Sequence, residues 1–85
     1  MPYSIEISPM ATRDLKKLPR AAQEIIGRTI DSLAVNPRPD GCVKMIDRHN
    51  MWRVRTGEFR ILYTIQDDRL VVVVIKIGNR REIYR

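Results

Sequence analysis

Two stretches hold the residues best suited to chemistry: Met51-Trp52-Arg53-Val54-Arg55-Thr56-Gly57-Glu58-Phe59-Arg60 and the closing Gly78-Asn79-Arg80-Arg81-Glu82-Ile83-Tyr84-Arg85. Apolar and basic residues alternate through 51–55, so an extended strand turns Trp52 and Val54 one way and Arg53 and Arg55 the other. A four-residue connection over 56–59 sets Arg55 opposite Arg60 and Trp52 opposite Tyr63, gathering Arg53, Arg55 and Arg60 on one side of a sheet. A shorter loop is expected to turn Arg60 to the other side. Arginine offers a planar, permanently charged fork that suits phosphate and carboxylate groups.

Other chemistries find little support. The chain has one histidine, His49, and one cysteine, Cys42. No Cys/His/Asp/Glu set stands at metal-ligand spacing, which argues against a zinc or two-metal nuclease, and no cofactor is implied. Gly41, Gly57 and Gly78 are isolated and read as turn residues, not as a phosphate loop. His49 reads as a surface-loop residue and Cys42 as a half-buried filler.

An arginine cluster with one phenol remains. RNA carries its own nucleophile, the 2′-hydroxyl, so transesterification to a 2′,3′-cyclic phosphate needs no metal and no covalent enzyme intermediate. Fixed guanidiniums can stabilise the charge of the transition state, and an aromatic ring stacked on a base can align the reacting groups. The plainer reading of the same residues is a solvated sheet edge and tail.

Charge agrees with a polyanionic partner. The net charge is +6, from 16 Lys/Arg and 10 Asp/Glu. Residues 1–43 carry six basic against five acidic residues, whereas residues 44–85 carry ten against five, and twelve of the basic residues are arginine. A nucleic acid or an acidic protein is the expected partner. No secretory leader opens the chain, and the apolar run 70–75 is too short to cross a bilayer, so a soluble, cytoplasmic protein without a membrane partner is expected.

The elements that must position these groups follow from local pattern. Tyr3, Ile5 and Ile7 alternate as the buried side of a short strand. Ser8-Pro9 supplies an N-cap and a proline at the first helical position, and Ala11, Leu15 and Leu18 give that helix an apolar stripe as far as Pro19. A second helix runs from about 19 to 35 with Ala22, Ile25, Ile26, Thr29, Ile30 and Leu33 on its inner face, and Asn36-Pro37 ends it. After the turn segment 37–41 come a short edge strand within 43–46, a polar loop at 47–50, and strands at about 51–55, 59–66 and 69–77 pairing as an antiparallel meander. Val71 to Ile75 is apolar on both faces and suits a central strand. With 85 residues and 44% hydrophobic content, the chain reads as one domain over 1–85. Its class is α+β, of order β-α-α-β-β-β: two N-terminal helices on one side of a twisted, mainly antiparallel sheet and arginines on or near the other.

Trp52-Arg53-Val54-Arg55, the run from Gly57-Glu58-Phe59-Arg60 to Tyr63, and Ile77-Gly78-Asn79-Arg80-Arg81-Glu82-Ile83-Tyr84 resemble the RelE/ParE superfamily of toxins of type II toxin–antitoxin systems, on the RelE side. The resemblance extends to the helix end Asp14-Leu15-Lys16-Lys17-Leu18-Pro19 and the Asn36-Pro37 stop. It implies a microbial-RNase-like fold and a metal-independent endoribonuclease that cuts mRNA in the ribosomal A site and is neutralised by a cognate antitoxin. By motif, the catalytic residues are Arg53, Arg55, Arg60, Arg80 and Tyr84, the tyrosine stacking on the substrate base. Arg81, an alternate for Arg80, joins Lys44 and Arg48 as candidate RNA-binding cations. The implied partners are the antitoxin, the ribosome with its mRNA, and operator DNA through the antitoxin complex.

Two other readings remain open. ParE-like members share the scaffold and inhibit DNA gyrase instead. Asn79 stands where many relatives carry histidine, which motivates a catalytically weak protein acting in antitoxin and operator binding.

Overall fold

Ser8 starts the first helix as its position before Pro9 predicts. The Ser8 hydroxyl oxygen accepts the N–H of Ala11 at 3.0 Å, and helix α1 spans Pro9–Lys16. Pro19 lies between the helices at extended φ and ψ, and helix α2 spans Arg20–Val35 before Asn36 adopts an extended conformation. The computed structural model describes residues 2–46 and 48–79. Its strands are β1 (Ser4–Ile7), β2 (Val43–Lys44), β3 (Met51–Thr56), β4 (Phe59–Gln66) and β5 (Val71–Asn79).

The five strands form one sheet of order β1-β5-β4-β3-β2, antiparallel except where β1 runs parallel to β5. The helices cover one face. Ala11, Ile26, Ile30 and Leu33 pack against Val54, Ile61, Tyr63, Ile65, Val72, Val74 and Ile77. Burying each large aliphatic side chain contributes about 1.5–3 kcal/mol, so this layer carries most of the drive to fold. Leu62 and Val71 are also buried but lie outside that cluster, on the opposite face.

Three local expectations change. Ile7 and Ile25 are 42% and 50% exposed, because β1 is an edge strand and the buried stripe of α2 narrows to Ile26, Ile30 and Leu33. The β3–β4 connection is Gly57-Glu58 alone, since Thr56 and Phe59 are themselves paired, and Gly57 takes the positive φ of +59° that such a tight turn needs at its first central position. Shortening the loop by two residues preserves side-chain parity, so Arg60 stays on the face of Arg55. Gly78 is not a turn residue. It lies within β5, opposite Arg60.

Candidate nucleic-acid interface

The sheet register builds the site. On the face away from the helices, Arg55 of β3 pairs directly with Arg60 of β4, which pairs with Gly78 of β5. The neighbouring row on that face runs Val43, Arg53, Leu62 and Lys76 across β2 to β5. Arg55 is exposed, Arg53 half-buried and Arg60 buried at 9% exposure, so this face offers guanidiniums at graded depth around Leu62. Such an array can grip one or more phosphates and stabilise added negative charge on them.

Lys44 and Arg48 stand apart from that face. Val43, not Lys44, pairs with Arg53, whereas Lys44 pairs with Trp52 and lies 5.9 Å from its ring centroid on the helix-bearing side. Arg48 and Lys44 line a shallow open concavity with Met45, Ile46, His49 and Asn50. Arg80, Arg81 and Tyr84 lie outside the described residues.

A different group of polar residues ties loops together at the helix-bearing side. Asp67 accepts both guanidinium nitrogens of Arg38, at 3.2 and 2.8 Å, and the Tyr3 hydroxyl at 2.5 Å. These hydrogen bonds, Arg38 first, hold the Asp67 carboxyl down at about 2. Arg38 also lies 5.0 Å from the Trp52 ring centroid, a cation–π distance. Below it, the Tyr63 hydroxyl donates to the Pro37 carbonyl at 2.8 Å. Burial first, and then the nearby Cys42, push the Tyr63 phenol above its ordinary range. No group of three or more His, Cys, Asp or Glu side chains stands close enough to hold a metal among the described residues.

Lys76 is the site cation that sequence reasoning missed. Alternation from Val72 and Val74 sends residue 76 into the core, and an irregularity at Ile75 reverses that. A charged residue at a position where alternation demands an apolar one is the signal that marks such a break.

The chain matches the family model of ParE toxins, from parDE type II toxin–antitoxin systems, over residues 5–84. The chain belongs to the RelE/ParE superfamily of type II toxins. It is 31% identical over 86 residues to toxin RelG of Mycobacterium tuberculosis, covering 100% of this chain and 99% of the relative. Toxin RelE of the same organism is 32% identical over 85 residues, covering 99% and 88%. Among solved structures, a RelBE toxin–antitoxin complex of M. tuberculosis superposes with a TM-score of 0.83 at 26% identity, covering 94% of this chain and 100% of that one. An archaeal RelE–RelB complex from Pyrococcus horikoshii reaches the same TM-score of 0.83 at 23% identity, covering 96% and 99%. This RelE/ParE chain therefore shares with RelE toxins a sheet covered by helices on one face, and its arginine row lies on the other.

Proposed function

We propose that this chain is the toxin of a RelBE-type system, a metal-independent endoribonuclease that cuts mRNA in the ribosomal A site and is silenced by a cognate RelB-like antitoxin. It acts in the cytoplasm and meets operator DNA through the antitoxin complex. The observation carrying this reading is the direct pairing of Arg55 with Arg60 on the sheet face opposite α1 and α2, beside Arg53 and Lys76. Like charges set directly opposite in a sheet oppose folding, and a bound phosphate reverses that penalty. Arg80 and Tyr84 complete the proposed catalytic set, and Arg81, Lys44 and Arg48 are outlying RNA contacts.

In the reaction the 2′-oxygen attacks the adjacent phosphorus, the bond from phosphorus to the 5′-oxygen breaks, and a 2′,3′-cyclic phosphate forms. The 2′-hydroxyl loses its proton and the departing 5′-oxygen takes one up. Guanidiniums stay protonated, so the arginines stabilise the growing phosphoryl charge and do not act as bases. The tyrosine stacks on a base and aligns the 2′-oxygen.

Inducing the chain without its antitoxin and mapping mRNA 5′ ends tests the reading. Cuts in phase with the reading frame, lost in Arg60→Ala and Tyr84→Ala, are expected. Full toxicity in both variants would overturn the assignment of these residues. The match to the ParE toxin model keeps a second reading, the gyrase inhibition that the resemblance to ParE-like members implies. That reading instead calls for DNA damage with translated mRNA left intact.

A further inference from the structure

The ladder between β4 and β5 slips once. Leu62 pairs with Lys76 and Tyr63 with Val74, which leaves Ile75 without a rung. Val74 and Ile77 both face the helices although three positions separate them, so the strand changes phase between them. Without the bulge, Lys76 would enter the core and Ile77 would face outward.

Helix α1 is fitted to the bulged form. The Ser8 N–H donates to the Val74 carbonyl at 2.8 Å, continuing the edge that β1 pairs with. Beyond the end of β1, side chains take over that edge. The Ser8 hydroxyl donates to the Ile75 carbonyl at 2.6 Å, and the Asp14 carboxylate accepts the Ile77 N–H at 3.1 Å. In a regular strand the backbone groups along one edge belong to every second residue. The Ile77 N–H shares an edge with the Val74 carbonyl because of the bulge, so Asp14 favours the bulged register.

We propose that Lys76 is a phosphate-contacting residue of the arginine face and that Asp14 is the positioning residue that keeps it there; the proposal rests on the RNA reading above. Lys76 occupies the row of Arg53 and Leu62, about 10 Å from Arg53 at the backbone by two strand spacings, near enough for two long side chains to meet neighbouring phosphates. It is half-buried, which suits a lysine that lays its stem along the sheet and keeps its ammonium in water. No ion pair or hydrogen bond engages Lys76 among the described residues. A lysine adds a compact, adjustable charge beside fixed guanidinium forks.

The test measures binding of a short 2′-O-methyl oligoribonucleotide, which lacks the nucleophile, by fluorescence anisotropy over a salt series. Lys76→Gln is expected to weaken binding several-fold at low salt and to lower the slope of log affinity against log salt by about 0.7, the loss of one single-strand phosphate contact. Lys76→Arg keeps the slope. Asp14→Asn retains an acceptor for Ile77 and keeps it too, whereas Asp14→Leu lowers it although the protein has become more positive. That sign separates positioning from bulk charge. An unchanged slope in Lys76→Gln beside a lowered slope in Arg55→Gln removes Lys76 from the face and leaves the RNA reading intact. An unchanged slope in both variants overturns both. A full slope in a folded Asp14→Leu variant overturns the positioning role.

Discussion

Arg55 and Arg60 face each other across a single rung of the β3–β4 ladder. Like charges set directly opposite in a sheet oppose folding, by an amount on the order of the ~0.2–1 kcal/mol that a favourable cross-strand pair contributes. Arg55→Thr, at an exposed strand position, is therefore expected to raise the melting temperature by a few degrees, and the gain should shrink as salt screens the repulsion. Thermal melts at two salt concentrations check this. A lower melting point in the variant would show that the pair is not repulsive in the folded chain. The same substitution should weaken RNA binding, the usual exchange of function for stability at a charged site.

Arg60 is the more deeply set of the two and should matter most to the chemical step. Removing a fixed charge-stabilising donor costs about 2–4 kcal/mol in the transition state. Arg60→Ala should thus slow single-turnover cleavage on programmed ribosomes by roughly 30- to 1000-fold, with circular dichroism confirming a folded domain. A loss confined to binding at saturable substrate would assign Arg60 to RNA capture alone.

Much of this architecture is readable from neighbouring residues. Ser8-Pro9 and Asn36-Pro37 mark helix ends through local backbone chemistry, and both act as such. The Arg55–Arg60 and Trp52–Tyr63 pairings follow from parity alone, which is why a loop two residues shorter than expected leaves them unchanged. Contacts between distant segments are not written in such patterns. The parallel pairing of β1 with β5 joins residues nearly seventy positions apart, such as Ser4 with Val71. The bulge at Ile75 depends on Ser8 and Asp14 of another element, so alternation along 71–77 misplaces Lys76. The place of Lys44 is equally hard to read from pattern: β2 is two residues long, and one step of register decides which of Val43 and Lys44 neighbours Arg53.

The Arg38–Asp67 pair gives a spectroscopic handle on acid behaviour. Asp67 titrates at about 2 in the folded chain against an ordinary 3.8, so its tie to Arg38 and Tyr3 is complete above about pH 4 and is lost as pH falls towards 2. Arg38 lies over Trp52, the one tryptophan of the chain. Trp52 emission should shift over that interval, and Asp67→Asn should abolish the transition. An identical titration in the variant would place its origin elsewhere. Because the pair is exposed, its contribution to stability is small and salt-sensitive.

Tyr63 makes the opposite prediction at the alkaline end. Its buried hydroxyl donates to the Pro37 carbonyl at 2.8 Å and so pins the segment after α2 over the sheet. Tyr63→Phe keeps the ring and leaves that carbonyl without its donor, which should cost about 1–3 kcal/mol at neutral pH. The folded-state pKa is raised above the ordinary 10.0, so the stabilisation is fully present below pH 10 and declines as pH rises beyond it, where unfolded chains ionise and folded ones resist. Denaturant melts of the two proteins should therefore converge between pH 10 and about pH 12. A gap that stays constant over that range would mean that the hydroxyl contributes through packing and not through its proton.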